Sequence, residues 1–266
     1  MPELPEVETI VRGLRPRIES RRIDAVRILR PDIVQPPGMA LDRRVLRRTI
    51  EHVHRRGKRI VFELDDASRF YIHLGMSGRL TIDLSDAPIR PHTHLILQIA
   101  DAQLRLVDPR RFGGVFWLGT DDPADAGLGP DALEITAKQL GQRLAKTRRC
   151  IKTALLDQKL VAGLGNIYAD ESLFSAGIHP QIPANRLSKS QIARLSRSIK
   201  AVLNRAIRHR GSTRRDYVDS DGRGGEFQKF HRVYNCDGKP CLKCGQPITR
   251  IVLGGRSTHF CRKCQR

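Results

Sequence analysis

The sequence predicts an α+β protein, with a leading helix on an N-terminal β-sandwich, a helical second half and a C-terminal zinc-finger β-hairpin. Three observations predict this architecture. Apolar residues recur at helical spacing near the start, short alternating runs follow them, and two Cys-x-x-Cys pairs stand in the last 26 residues. At 266 residues, the chain is long enough for two domains.

The first predicted element is a helix at 4–18, because its apolar residues have helical spacing: Leu4, Val7, Ile10, Val11, Leu14 and Ile18. Pro5 fits the first helical turn, where its missing N–H costs nothing. Pro2 and Glu3 therefore lie at the positive end of a helix dipole. Methionine is usually trimmed before proline, so we expect Pro2 to carry a free secondary amine. The helix end disfavours its protonated form, and such an amine can attack a sugar C1′ to form an iminium ion.

Short alternating apolar runs dominate the chain from about Ile23 to Leu118 and indicate β-strands. The clearest predicted strands lie at 59–64, 70–74, 94–99 and 103–107. Turn signals such as Asp65-Asp66 and Asp101-Ala102 separate them. Regular short strands between turns favour a β-sandwich.

The second half of the chain has longer segments at helical spacing. Helices are predicted at about 136–146, 151–157, 167–176 and 188–209. A glycine- and proline-rich linker is predicted at 119–131, a polar loop at 211–225 and a strand around 230–234. We therefore divide the chain into an N-terminal domain at 1–118, the linker at 119–131, a helical domain at 132–231 and a C-terminal domain at 232–266.

The strongest signal in the C-terminal domain is a set of four cysteines with the spacing of a tetrahedral zinc site: Cys241, Cys244, Cys261 and Cys264. A redox pair is the alternative, although two pairs in one basic tail do not favour it. Four thiolates leave no open position for substrate, so we expect one structural ion. It would hold a hairpin that turns at Gly254-Gly255 and carries Arg256. Cys150 and Cys236 have no assigned role.

The net charge of +20 and the pI near 10.6 indicate a polyanionic partner or an anionic membrane surface, with a merely soluble basic surface as the alternative. Residues 200–266 concentrate this charge, with 16 Lys and Arg against 5 Asp and Glu. No apolar run approaches the roughly 20 residues of a membrane-spanning helix. The start does not resemble a signal peptide, and the cysteine pattern fits a reducing compartment. These features predict a cytoplasmic protein.

A glycine-rich segment, Gly163 to Glu171, forms two turns before a helix that begins near Asn166. Glycine turns and a helix N-terminus suit phosphate binding, and a packed helical hairpin is the alternative. Basic residues lie just upstream and favour contact with a nucleic-acid backbone: Lys146, Arg148, Arg149 and Lys152.

Two further segments follow predicted strands, His73 to Gly78 and Asp108 to Gly114. Met76 and Phe112 are either core residues or an exposed apolar wedge that fills the gap left by an extruded base. His92 and His94 are either structural or phosphate donors beside Arg111. By composition alone, Lys58 is a solvated surface charge.

Together these residues show that the chain resembles bacterial formamidopyrimidine-DNA glycosylase, of the Fpg/endonuclease VIII superfamily. The resemblance is carried by five segments that occur in the same order: MPELPEVET at 1–9, HLGMSG at 73–78, DPRRFG at 108–113, KLVAGLGNIYADE at 159–171 and the residues around the last cysteine pair at 255–265. It implies a β-sandwich, a helix–two-turn–helix domain and a zinc finger.

The resemblance also implies a bifunctional DNA-repair enzyme that excises oxidised purines, such as 8-oxoguanine and formamidopyrimidines, and then nicks the strand as an AP lyase. Pro2 would form the imine with C1′, and Glu3 would assist opening of the deoxyribose. Lys58 would transfer protons in β-elimination. Arg256 would assist δ-elimination and hold a phosphate.

Further residues would contact double-stranded DNA that contains oxidised bases. Three would fill the space left by the flipped nucleotide, with Arg110 facing the orphaned cytosine: Met76, Arg110 and Phe112. Four would bind the DNA backbone: His92, Arg111, Lys152 and Asn166. The resemblance also implies a monomer, and a lesion-capping segment at 212–228 that varies among relatives.

Two other functions remain open on the sequence. An endonuclease VIII-type enzyme would prefer oxidised pyrimidines, although that group typically has glycine in place of Leu4. A zinc-containing DNA-binding protein without catalysis is disfavoured, because Pro2, Glu3, Lys58 and Arg256 are all present.

Overall fold

The computed structural model describes residues 2–121 and 127–266. The chain divides into two units, the first made of Met1–Ala126 and His209–Glu226 and the second of Gly127–Arg208 and Phe227–Arg266. Of the linker predicted at 119–131, residues 122–126, including Pro123, lie outside the described residues. Within the described parts of the chain, no helix combines the length and apolar character needed to cross a membrane.

The first unit begins with helix α1, Leu4–Ile18, as predicted. A short helix α2 spans Leu41–Val45. The strands are β1 Arg21–Arg22, β2 Ala25–Ile28, β3 Val34–Gln35, β4 Thr49–Arg56, β5 Arg59–Leu64, β6 Arg69–His73, β7 Arg79–Leu84, β8 Thr93–Ile99, β9 Ala102–Val107 and β10 Gly114–Gly119. The four strands singled out in the sequence are confirmed, each within one residue at either end.

Two sheets form the sandwich. The larger has the order β1-β4-β5-β6-β10-β3 and the smaller the order β2-β8-β9-β7. The described pairings are antiparallel except β10 with β3. The apolar face of α1, with Val7, Ile10 and Leu14, joins the core, where Phe62 stacks on Phe70 at 4.6 Å. Helix α1 is thereby fixed to the sandwich.

The second unit contains helices α3 Ala137–Leu144, α4 Ile151–Leu156, α5 Asn166–Ala176 and α6 Lys189–Arg208. All four confirm the predicted helices. Strands β11 Thr249–Leu253 and β12 Arg256–Phe260 pair as an antiparallel hairpin. Gly254 and Gly255 turn it with φ of 54° and 72°, a backbone conformation that glycine adopts without steric cost.

The strand predicted around 230–234 is wrong. Phe227–Phe230 is a 3-10 helix, and residues 231–235 form bends and turns. The carboxylate of Glu171 explains the difference, because it accepts the backbone N–H groups of Arg232, Val233 and Tyr234 at 2.9–3.1 Å. Three successive N–H groups that converge on one carboxylate cannot alternate between the two sides of a strand.

Candidate active site and nucleic-acid interface

Pro2 and Glu3 lie buried at the N-terminal end of α1. The backbone N–H of Glu3 donates to Oε2 of Glu6 at 2.8 Å, which fixes the chain immediately before the helix. A capping box closes this end of the helix, because the side chain of Glu3 accepts from the backbone N–H of Glu6 in return. An amine at Pro2 would therefore be held in a fixed position beside the start of α1.

The turn that carries Lys58 is fastened to the same helix. Lys58 lies in the two-residue turn between β4 and β5, after Gly57 with φ of 58°. Arg55 donates to the carbonyl of Gly57 at 3.1 Å and to Oε2 of Glu8 in α1 at 2.9 Å. Burial opposes ionisation of Glu8, but its bonds with Arg12 and Arg55 lower its pKa overall. The buried Lys58 is thus positioned from the helix that carries Pro2 and Glu3.

The two loops after β6 and β9 are organised by Asp108. Its Oδ1 accepts from the hydroxyl of Ser77 at 2.6 Å, and its Oδ2 accepts from the N–H of Gly113 at 2.8 Å. Gly75, with φ of 55°, packs so closely on the backbone of Phe112 that a Cβ atom would overlap it. Asp108 is 2 % exposed, so a buried carboxylate fixes the two loops relative to each other.

These loops present apolar side chains to solvent. Met76 is 38 % exposed and Phe112 57 % exposed, so neither is a core residue. The guanidinium of Arg110 lies 4.7 Å from the centre of the Phe112 ring. An exposed aromatic ring beside an arginine fits the wedge interpretation of the sequence.

Two residues predicted to bind the DNA backbone lie beside the loops after β6 and β9. His92 and Arg111 are exposed, and the carbonyl of His92 accepts from the N–H of Asp108. His94 differs, because it is buried and its Nε2 contacts the carbonyl of Asp108 at 2.8 Å. The structure therefore makes His94 structural and leaves His92 and Arg111 accessible to a polyanion.

The glycine-rich turns in the second unit are held by Gln158. Its side-chain carbonyl accepts from the N–H of Gly163 at 2.9 Å, and its amide donates to the carbonyl of Leu164 at 2.8 Å. These bonds fix the path of the chain immediately before α5, which begins at Asn166. The amide of Asn166 donates to the carbonyl of Ser257 in β12 at 2.9 Å, which ties the turn to the hairpin.

Lys152 was predicted to contact the DNA backbone directly, but its position in the structure does not fit such a contact. Lys152 is 0 % exposed, and its Nζ donates to Oδ1 of Asp170 at 2.6 Å and to the carbonyl of Asn166 at 2.8 Å. The second oxygen of Asp170 accepts from the backbone N–H of His259 in β12 at 2.9 Å. Lys152 and Asp170 therefore join α4, α5 and the hairpin.

Asp170→Asn is expected to destabilise this unit, because it leaves the ammonium of Lys152 buried without its countercharge. Removing one partner of a buried ion pair costs about 3–5 kcal/mol. Thermal unfolding measures the loss. Asp24→Asn is the matched control, since Asp24 forms an exposed pair with Arg22 and its loss should leave the melting temperature nearly unchanged. Equal melting temperatures for the two variants would contradict the conclusion that Lys152 and Asp170 join α4, α5 and the hairpin.

The four cysteines predicted as metal ligands come together. Their sulfur atoms all lie within 4.8 Å of one another, with 3.9 Å between Cys241 and Cys264 and 3.5 Å between Cys244 and Cys261. Tetrahedral zinc with Zn–S bonds of 2.3 Å places its sulfur ligands about 3.8 Å apart. The cluster fits one structural zinc ion. Arg256 lies exposed at the tip of the adjoining hairpin, as predicted.

Comparison with known families covers most of the chain. Residues 1–115 match the formamidopyrimidine-DNA glycosylase N-terminal domain, residues 127–218 match its H2TH domain, and residues 238–266 match the zinc finger found in FPG and IleRS. The formamidopyrimidine-DNA glycosylase of Bacillus subtilis is 44% identical over 277 aligned positions, which cover 100% of this chain and 99% of the relative. This chain belongs to the formamidopyrimidine-DNA glycosylase (Fpg) family.

Solved structures of the Fpg family agree with the fold. A Lactococcus lactis Fpg mutant in complex with DNA that contains Fapy-dG has a TM-score of 0.93 and 38% sequence identity, with full coverage of both chains. Wild-type L. lactis Fpg bound to oxidised-pyrimidine DNA has a TM-score of 0.92 at 38% identity, also with full coverage. The predicted α+β fold class, the H2TH domain and the zinc finger are thereby confirmed.

Some residues that shape this Fpg family site were missed in the sequence. They are buried or partly buried polar side chains that position others, namely Glu6, Asp108, Gln158, Asp170, Glu171 and His259. Asp170 and Glu171 are the two charged residues of helix α5, and this acidic pair was the signal that the sequence offered. Which backbone N–H group each carboxylate would accept could not be read from spacing.

Proposed function

We propose that this protein is a base-excision-repair DNA glycosylase that removes oxidised purines and then cleaves the strand as an AP lyase, with Pro2 as the nucleophile. Its location would be the bacterial cytoplasm, on the chromosome. The observation that carries the proposal is a family match along nearly the whole chain, together with Pro2-Glu3 at the N-terminal end of α1. The double-stranded DNA partner is supported by the net charge of +20.

The proposed chemistry uses a secondary amine. The Pro2 nitrogen attacks C1′ while the bond from C1′ to the base breaks, and the base leaves with a proton. Glu3 then protonates the ring oxygen O4′, the sugar opens, and the nitrogen lone pair forms the imine. The iminium cation accepts electron density, which makes a C2′ proton acidic.

Elimination follows from that acidity. A C2′ proton is removed, a carbon–carbon double bond forms and the 3′ phosphate leaves, with Lys58 assisting the proton transfer. Loss of the 5′ phosphate by a second elimination completes the cut, with Arg256 beside the departing phosphate. Lys58 is 8 % exposed and lies in a fixed turn, which suits a group that transfers a proton at one defined position.

Extrusion of the damaged nucleotide is supported by the exposed wedge. Met76 and Phe112 would fill the vacated space, and Arg110 would face the orphaned cytosine. Flipping a nucleotide costs a few kcal/mol, and less for a damaged base. His92, Arg111 and Asn166 would contact phosphates, whereas Lys152 would act indirectly by holding the Asn166 turn.

Excision from an 8-oxoguanine:cytosine duplex is expected to exceed excision from a thymine glycol duplex by about 10-fold or more in kcat/KM. Single-turnover kinetics on both duplexes measures the ratio. Thymine glycol belongs in the test because a solved Fpg complex contains an oxidised pyrimidine. A preference for thymine glycol would favour the endonuclease VIII-type function. Binding to both duplexes without excision from either would favour a non-catalytic protein.

A further inference from the structure

Helix α6 carries positive charge that its own sequence does not balance. Its 20 residues include six Lys and Arg and no Asp or Glu. The stretch without acidic residues extends over 172–215. Like charges three or four positions apart on a helix repel each other, so this composition does not stabilise α6 itself. An anionic partner outside the chain explains the charge better.

Four arginines of α6 share one side of the helix. The second, third and fourth follow the first by 3, 11 and 14 residues, which are close to whole turns of 3.6 residues. We call these four residues the arginine ridge, and it is about 21 Å long: Arg194, Arg197, Arg205 and Arg208. Three of them are exposed and Arg205 is half-buried. The opposite side of α6 is buried, with Leu195, Ile199 and Leu203.

Two ridge arginines are held in place by groups that do not neutralise them. Nε of Arg194 donates to the carbonyl of Ala176 at 3.3 Å, and the guanidinium of Arg205 lies 4.9 Å from the centre of the Phe230 ring. Across residues 2–121 and 127–266, no ridge arginine forms an ion pair with an acidic side chain. The ridge therefore presents uncompensated guanidinium groups, which suit phosphate oxygens.

Duplex DNA fits the ridge better than a membrane surface does. A helix that binds a membrane inserts its apolar face, but the apolar face of α6 is already buried within the second unit. One strand of duplex DNA presents a phosphate about every 3.4 Å along the helix axis, so a ridge of about 21 Å matches about six phosphates.

Part of the ridge lies away from the proposed phosphate contact at Asn166. Asn166 is the first residue of α5 and Ala176 is the last. Ten residues of helix separate them by about 15 Å. Arg194 is bonded to the Ala176 carbonyl, so it lies beside the far end of α5. DNA bound at the Asn166 turn therefore leaves Arg194 and Arg197 available to other phosphates.

We propose that the arginine ridge is a second binding site for duplex DNA, which holds another DNA segment while the first site is occupied. The first site is the one proposed above for the damaged duplex. A protein with two such sites transfers between neighbouring segments without dissociating. The inference goes beyond the proposed function and does not depend on the excision chemistry.

Energy transfer between two short duplexes, one with a donor dye and one with an acceptor dye, tests the proposal. Wild-type protein should bring the two duplexes together at low salt, and sedimentation should show one protein with two duplexes. Arg194→Gln combined with Arg197→Gln should weaken binding of the second duplex about 10-fold. The slope of log K against log salt for that step should fall by about two, because two phosphate contacts are lost.

Arg43→Gln combined with Arg44→Gln is the matched control. Both arginines are exposed on α2, and their replacement removes the same charge. The control should bring two duplexes together as the wild type does. Single-turnover excision from a short 8-oxoguanine duplex should stay within about 2-fold of wild type in both double variants, because the first site is unchanged.

The outcomes separate the ridge from the function proposed above. Three results would overturn the second site: no energy transfer with wild-type protein, equal energy transfer in the ridge variant, or a complex that contains two proteins. Displacement of the second duplex by structured RNA or anionic-lipid vesicles at lower phosphate concentration than by unlabelled duplex would overturn the choice of partner. Absence of excision by wild-type protein would instead overturn the proposed function, whatever the energy transfer shows.

Discussion

Blocking the nitrogen of Pro2 is expected to abolish covalent capture of DNA. In a protein with an uncleaved N-terminal extension, that nitrogen is an amide and has no basic lone pair to attack C1′. Strand cleavage should fall by about 10³-fold or more, as expected when an enzyme loses its nucleophile. Borohydride added during reaction with an 8-oxoguanine:cytosine duplex measures capture, because it reduces the imine to a stable bond.

The matched control is the same protein after proteolytic removal of the extension, which frees the amine of Pro2 without changing any side chain. Capture should then return. Pro2→Gly, which replaces the rigid secondary amine with a flexible primary amine, should also lose the adduct. Capture by the blocked protein would contradict the assignment of Pro2, since another nitrogen would then be forming the imine.

The second large effect is expected at the zinc site. Cys244→Ser removes one of four thiolates that surround the ion, and the hairpin that carries Arg256 should lose its shape. Because binding of structural zinc supplies folding free energy, cleavage of the 8-oxoguanine duplex should fall by about 100-fold or more. Metal analysis of the purified protein, together with cleavage rates, measures both consequences.

Cys236→Ser is the matched control for the zinc prediction. Cys236 packs beside the cluster but is not among the four sulfurs that converge. This variant should keep one equivalent of zinc and normal cleavage. A Cys244→Ser protein that stays fully active with far less than one equivalent of zinc would refute the structural role of the metal.

The elements that the sequence predicted well depend on local patterns. Helices α1, α3 and α6 have apolar residues at helical period, and the strands singled out in the sequence are short apolar runs between turn signals. The zinc site was predictable because ligand spacing within each Cys-x-x-Cys pair already fits one ion. Gly254-Gly255 marked the hairpin turn in the same local way.

The features that the sequence did not predict depend on contacts between distant residues. Phe230 to Tyr234 has the composition of a strand, but the carboxylate of Glu171 gathers its N–H groups into a turn. Lys152 lies in a basic stretch that predicts exposure, yet Asp170 from the next helix buries it. Partners that lie 18 to 63 positions away leave no periodic signal in the sequence.

The central claim is that the free nitrogen of Pro2 forms the bond to DNA, and mass spectrometry of the borohydride-reduced adduct tests it most directly. After proteolysis, the account predicts one modified peptide that begins at Pro2, lacks Met1 and carries the sugar remnant on its N-terminal nitrogen. A remnant on Lys58 or another side chain, or a fully active enzyme that still carries Met1, would contradict it.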